Sequence, residues 1–131
     1  MAPLDAPASL AAVLGLLAAL TVKHYLADFL LQTAWMVRGK EARTGWVAPL
    51  GLHLLCHAGL TLALALAVKP ALWWLALADL AAHGLVDRAK ALACRRGGWD
   101  PSRREFWWLL GFDQLLHQLT NIALAAAFVL L

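Results

Sequence analysis

The chain has 131 residues, of which 63% are hydrophobic and 15% are charged, with a formal net charge of +3 at neutral pH. A water-soluble domain of this length carries more charge on its surface, so the composition argues against an ordinary soluble domain and favours a protein that lies in lipid. The basic residues cluster in short linkers, where they set membrane topology, and we therefore expect no nucleic-acid partner.

Four apolar stretches follow one another along the chain, each long enough to cross about 30 Å of hydrocarbon as a helix. The first lacks the basic start of a secretory signal peptide, and we interpret it as a retained membrane helix. These four stretches predict an all-α fold, a polytopic integral membrane four-helix bundle. Because the linkers are short, we expect a single transmembrane domain over residues 1–131. The predicted helices lie near residues 9–33, 47–68, 71–92 and 105–131.

Basic residues are concentrated in two of the three linkers between these stretches. The first linker carries three and the third carries six, whereas the second has only Lys69. The positive-inside rule then places the first and third linkers in the cytoplasm and both termini outside, an N-out/C-out topology. Tryptophans near both predicted interfaces, such as Trp46 and Trp73, agree with this orientation.

Each predicted helix contains one pair of histidine or aspartate residues four positions apart. Residues at this spacing share one helix face, and ionisable groups at membrane depth normally face a bundle interior. At about 1.5 Å of rise per residue, the predicted topology places four histidines in a deeper layer beneath a mixed layer nearer the cytoplasm. The pairs are His24/Asp28, His53/His57, His83/Asp87 and Asp113/His117.

Two layers of nitrogen and oxygen ligands suit one or two divalent metal ions such as Zn²⁺, Fe²⁺ or Mn²⁺. We take all eight residues as candidate ligands, and Asp28, Asp87 and Asp113 also as candidate catalytic bases. In one alternative the histidines alone bind the metals and each aspartate orients a histidine. In another, the pairs are only hydrogen bonds that neutralise polar groups between packed helices.

Three further residues lie deep in the predicted helices. Lys23 and Asp79 fall near the middle of the bilayer, where an ion pair between them would neutralise both charges. Cys56 lies between the two histidines of the second helix and is either a soft metal ligand or a small buried hydrophobe. With only one other cysteine in the chain, we expect no disulfide framework.

The polar pairs also carry a family resemblance. The sequence reads His-x-x-x-Asp at residues 24–28 and 83–87, and Asp-Gln-x-x-His at 113–117. These strings resemble an uncharacterised family of small bacterial inner-membrane proteins, catalogued as a domain of unknown function. The resemblance implies a multi-pass location in the bacterial inner membrane and adds Gln32, Lys40 and Gln114 as residues beside the ligands or at the mouth of the site. A looser similarity, in size and His/Asp content, is to proteins labelled membrane-bound metal-dependent hydrolases.

We expect a metal-dependent enzyme, a hydrolase acting on an amphiphilic, lipid-like substrate at the cytoplasmic leaflet. Arg88, Lys90 and the linker arginines would bind an anionic lipid headgroup, such as one that bears phosphate. A transporter for metal ions or protons, with homo-oligomerisation, is the main alternative. The others are a b-type haem protein for electron transfer, and a non-catalytic assembly factor.

Overall fold

The fold is known from a computed structural model that describes residues 9–131. Residues 1–8 lie beyond the described residues. Every regular element between residues 9 and 131 is helical, which confirms the all-α class. The elements are α1 (Leu10–Tyr25), a π-helical turn (Leu26–Leu30), α2 (Ala34–Lys40), α3 (Val47–Val68), a 3₁₀ turn (Pro70–Leu72), α4 (Leu75–Gly97) and α5 (Arg104–Leu130).

The first apolar stretch is not one straight helix. The α-helix gives way after Tyr25 to one wider π-helical turn, which reaches Leu30. A new helix, α2, then starts inside the predicted linker, because the Thr33 hydroxyl accepts a hydrogen bond of 3.3 Å from the backbone amide of Met36. The chain thus turns back on itself and carries the basic end of α2 toward the other helices.

The two central helices form a hairpin with well-defined ends. Pro70 begins the 3₁₀ turn between α3 and α4, where its ring fixes φ and it needs no amide partner. At the other end, α4 runs five residues beyond the predicted boundary and stops at Gly98, whose φ of +61° is the left-handed conformation that favours glycine. Between these ends, Gly84 lets α4 approach the side chain of Leu54 closely.

The helices pack around a common interior. In that arrangement α3 contacts α4, α4 contacts α5, α5 contacts α1, and α1 closes against α3, while α2 lies on α3. An apolar cluster fills one end of this interior, formed by Leu16, Leu20, Ala65, Leu72, Leu75, Leu124, Ala125 and Phe128. The remaining length of the interior is lined by polar side chains, described below.

Polar and apolar residues are distributed in reverse of the usual pattern for a soluble protein. His53 and Asp79 are fully buried, whereas Leu85 on the outside is 73% exposed and Leu10 is 72% exposed. Two helical segments, Leu10–Leu30 and Val47–Val68, are long and apolar enough to cross a membrane. A polar interior under an apolar surface is what a lipid solvent favours.

The expected ion pair between Lys23 and Asp79 is confirmed. The Lys23 ammonium lies 2.7 Å from Asp79 Oδ2, and both side chains are almost completely buried. Thr61, which the sequence analysis did not single out, donates to the same oxygen at 2.6 Å. The triad joins α1, α3 and α4 through one carboxylate.

We predict that breaking this pair on one side destabilises the fold more than removing both partners. Lys23→Met leaves Asp79 buried without its counter-charge, which should cost about 3–5 kcal/mol of unfolding free energy. The double variant Lys23→Met/Asp79→Leu should recover a large part of that loss. Denaturant titration of the detergent-solubilised protein measures both values, and equal losses would contradict a stabilising pair.

Candidate metal centre

Five imidazole rings, one or two from each of α1, α3, α4 and α5, meet in the interior. The centroid of the His83 ring lies 3.6 Å from that of His57 and 3.8 Å from that of His117. His24 faces these three rings at centroid distances of 5.3 to 5.7 Å, and His53 lies 4.8 Å from His57. The four histidines expected in the deeper layer therefore form one group, and all five histidines of the chain belong to the cluster.

Two carboxylates bridge these histidines from opposite sides. Asp28 Oδ1 lies 2.9 Å from His57 Nε2, and Asp28 Oδ2 lies 3.2 Å from His24 Nε2. Asp87 Oδ1 lies 3.1 Å from His117 Nε2. His53 Nε2 stands between the two carboxylates, 3.4 Å from an oxygen of each.

The third carboxylate of the cluster, Asp113, approaches from α5. Its Oδ1 lies 3.4 Å from Nε2 of His117, one helical turn further along the chain. With it, all eight candidate ligands predicted from sequence are brought into one continuous cluster. Three groups within it have ligand atoms close enough to hold a metal ion: His24, Asp28, His57 and His83; His53, His83 and Asp87; and Asp87, Asp113 and His117.

The spacing of these atoms fits a divalent cation. Metal–nitrogen and metal–oxygen bonds of about 2.0–2.2 Å place the ligands of a tetrahedral site roughly 3.3 Å from one another. The nitrogen-to-oxygen separations quoted above for Asp28, Asp87 and Asp113 lie between 2.9 and 3.4 Å. The atoms are thus already near the distances that a small ion requires.

Six buried atoms of the eight candidate ligands have no hydrogen-bond partner within residues 9–131. They are Nδ1 of His24, His53, His57 and His117, Nε2 of His83 and Oδ1 of Asp113. An unsatisfied buried polar atom is costly, and cations bound in the groups that contain His83 and Asp113 would satisfy the atoms of these two residues. The first and third groups share no residue, so the cluster has enough ligands for two ions.

The site contains more carboxylates than ammonium groups. Three carboxylates lie among the histidines, and the ammonium group of Lys40 contacts one of them, 3.0 Å from Asp87 Oδ2. Because a buried charge without a counter-charge is expensive in an apolar surround, this excess of carboxylates suits a bound divalent cation.

Three of the residues implicated by resemblance also reach the cluster. Gln114 Oε1 accepts a hydrogen bond from His24 Nε2 at 3.1 Å, and Gln114 Nε2 donates to Asp113 Oδ2 at 3.2 Å. Lys40 Nζ lies 3.5 Å from His53 Nε2 as well as contacting Asp87. Gln32 donates to the backbone carbonyl of Asp28 at 2.8 Å, so it fixes the π-helical turn that carries this ligand.

The other two candidates for headgroup binding, Arg88 and Lys90, differ in position. Arg88 stacks over the Trp46 ring at 4.0 Å and faces the α2–α3 linker. It points away from its neighbour Asp87, because consecutive residues of a helix do not share a face. Lys90 is closer to the site and pairs with Glu41 at 3.2 Å. Cys56 is half-buried and belongs to none of the candidate ligand groups within residues 9–131.

A cavity of about 250 Å³ opens beside the metal centre. All three candidate catalytic aspartates line it, as do Lys40 and Lys90. Its remaining lining is Phe29, Gln32, Val37, Glu41, Leu110 and Gln114. The cavity therefore places carboxylates, ammonium groups and apolar side chains around one space next to the ligands.

Comparison with known proteins identifies the family. The family model described as "Protein of unknown function (DUF3307)" matches residues 16–131, and the chain belongs to that family. No curated protein and no solved structure matches the chain. The similarity to metal-dependent hydrolases thus stays a prediction from sequence.

We predict that the detergent-purified protein binds one to two equivalents of Zn, Fe or Mn, measured by elemental mass spectrometry. The double variant His57→Ala/His117→Ala should lose this metal, because it removes a ligand from two of the three groups. Gln118→Ala, next to His117 on α5, is the control and should retain it. Wild-type protein without metal after reconstitution would contradict the site.

Docking of α2 on α3 should depend on a glycine. A Cβ at Gly39 would overlap the ring of Pro49, whereas one at Gly51 would meet nothing within 4 Å. We predict that Gly39→Ala costs about 1–3 kcal/mol of unfolding free energy and increases hydrogen exchange in residues 34–40. Gly51→Ala is the control, and equal effects of the two variants would show that the α2 contact is not responsible.

Proposed function

We propose that this DUF3307 protein is a multi-pass protein of the bacterial inner membrane, built as an N-out/C-out four-helix bundle. The apolar outer surface and the ionisable interior support this proposal. Asp79, His83 and Asp87, which lower the average hydropathy of α4, are buried, and its basic residues Arg88, Lys90, Arg95 and Arg96 lie toward the C-terminal end of the helix, so a modest average does not argue against spanning. The basic linkers support a cytoplasmic location for the end of the bundle that carries the proposed metal site.

Within the bundle we propose a resident site for one or two divalent metal ions, Zn, Fe or Mn. The proposal is supported by the ligand spacings, by the unpartnered atoms of His83 and Asp113, and by the excess of carboxylates over ammonium groups at the site. Nitrogen and carboxylate ligands of this kind suit these borderline cations. The packing of the imidazoles directly against one another favours small ions over a flat haem macrocycle.

The function that the geometry supports best is metal-dependent hydrolysis of an amphiphilic, anionic lipid-like substrate at the cytoplasmic leaflet. One observation carries this proposal: the cavity that reaches the three aspartates of the metal centre is also lined by two lysines. Ion transport needs a pathway through the molecule, whereas a cavity with headgroup-binding cations beside the ligands suits a bound substrate.

Each lining residue has a distinct role in this mechanism. Lys40 and Lys90 bind and orient the anionic headgroup as point charges. An aspartate of the cavity, Asp28, Asp87 or Asp113, takes a proton from the attacking water as general base. Phe29 and Leu110 form the apolar part of the lining and limit the access of bulk water. A divalent metal bound at the centre would supply Lewis-acid polarisation of the scissile group.

Transport of a metal ion or of protons is the second candidate, and one contact favours it. Nδ1 of His83 lies 4.0 Å from Asp79 Oδ1, so the polar cluster continues to the Lys23 ion pair. Beyond that pair, the apolar cluster around Leu20 and Phe128 occupies the end of the interior. A path for ions would have to cross this cluster, and we therefore rank transport second.

The hydrolase proposal predicts metal-dependent turnover in bilayers that contain phosphatidic acid and phosphatidylglycerol. Released phosphate and fatty acid are measured by mass spectrometry, with and without prior metal chelation. Asp113→Asn should lower the rate by about 10²–10⁴-fold, the usual contribution of a general base. Asp100→Asn, an equivalent change in the exposed α4–α5 linker, is the control and should leave the rate unchanged.

Full activity of the metal-free protein would contradict the proposed chemistry. Uptake of Zn²⁺ into proteoliposomes without any lipid turnover would favour the transporter instead. If substitution of the histidines left the protein's cellular role intact, the assembly-factor alternative would gain support.

A further inference from the structure

An apolar groove adjoins the polar cavity on the outside of the helices. It has a volume of about 160 Å³ and lies between α4 and α5. Lys90 and Asp113 line both the groove and the cavity, so the two spaces meet at these residues. The other groove residues are all apolar: Val86, Ala89, Ala93, Leu109, Phe112 and Leu116.

The groove follows one face of each helix. The lining positions on α4 recur at intervals of three or four residues from 86 to 93, and those on α5 do so from 109 to 116. Seven residues of helix correspond to a groove about 10 Å long. Phe112 is 53% exposed and Ala89 is also exposed, so the groove faces outward. The short side chains of the two alanines leave the space open.

Lys90 connects the two environments. Its ammonium group pairs with Glu41, which lines the cavity, while the residue also lines the apolar groove. A long lysine side chain often packs its methylene groups on apolar surface and presents its charge to a polar region. A ligand that occupied both spaces would have its anionic part near Lys90 and its apolar part along α4 and α5.

We propose that the groove binds an acyl chain of a membrane lipid whose anionic headgroup occupies the cavity. The inference rests on the proposed function and extends it, since it defines the substrate as a bilayer lipid that enters sideways between α4 and α5. The lipid bond nearest the headgroup would then lie beside Asp113, where groove and cavity meet.

An acyl chain fits this groove better than a peptide does. Apart from Lys90 and Asp113, every lining side chain is apolar, so a peptide backbone would find few partners for its amides and carbonyls. A methylene chain needs none. Two lysines and four carboxylates line the cavity, so attraction of an anionic headgroup to Lys40 and Lys90 depends on the proposed divalent ions, which offset the carboxylates.

The test uses phosphatidic acid with a photoactivatable diazirine in one acyl chain, added to the metal-loaded full-length protein in nanodiscs. We expect mass spectrometry to find the label mainly within residues 86–93 and 109–116. Ala89→Phe fills the middle of the groove and Ala93→Phe fills one end, and each should reduce that labelling by about tenfold through overpacking. Metal content and gel-filtration profile verify that each variant is folded.

A second groove supplies a matched control. It lies between α1 and α5, has a volume of about 270 Å³, and is lined by apolar residues that include Ala126. Ala126 is exposed like Ala89, so Ala126→Phe makes the same change on the same type of surface away from the cavity. It should leave labelling of residues 86–93 and 109–116 unchanged.

The outcomes separate this inference from the proposed function. Labelling spread evenly over all outward faces would overturn the acyl-chain site even if the protein hydrolyses lipid. Labelling confined to the groove, without any metal-dependent turnover, would support the site and remove the hydrolase proposal. If the groove stayed unlabelled and Ala89→Phe converted a dimer to a monomer, a second copy of the chain would be the occupant.

Discussion

The structure depends on the cost of burying ionisable groups, which must compensate one another when water is excluded. Lys23 is neutralised by Asp79, and Lys40 contacts Asp87. Each helix must therefore present one particular face inward at one particular height, so that its polar groups meet their partners. The apolar surface adds little to this specificity, because leucine and alanine side chains can contact lipid in many orientations. The polar contacts decide how the helices are rotated.

Much of the cluster could be predicted because a spacing of four residues defines a helix face, and helix direction defines relative height. The π-helical turn at Leu26–Leu30 could not be predicted, since the composition of an apolar stretch does not distinguish a regular α-helical turn from a wider π-helical one. The position of Lys40 depends on packing of Gly39 against Pro49, a contact between separate elements. Thr61 was missed because one threonine in an apolar helix usually bonds its own backbone. Arg88 directly follows Asp87 in the sequence, but the side chains of consecutive helix residues point in different directions, so Arg88 contacts Trp46 instead of the cluster.

The two ends of the molecule differ in character. The cavity, the lysines and the three aspartates lie toward the α2 end, while the opposite end is filled by leucine, alanine and phenylalanine. The Lys23–Asp79–Thr61 triad joins α1, α3 and α4 next to His83, in contact with the polar cluster. Within residues 9–131, this asymmetry gives the candidate metal centre a polar approach from the α2 end. A site approached from one side suits the processing of a molecule more than its passage through the interior.

The π-helical turn imposes a constraint on chain length that sequence composition does not reveal. A π-helical turn closes its hydrogen bonds over five residues and an α-turn over four, so loss of one residue would let the wide turn close as a regular one. His24 precedes the turn and Asp28 lies inside it, so a deletion between them would change the spacing of two neighbours of the cluster from four positions to three. Insertions and deletions in natural or engineered relatives should therefore accumulate in the exposed linker near Pro101 and be absent between residues 24 and 32.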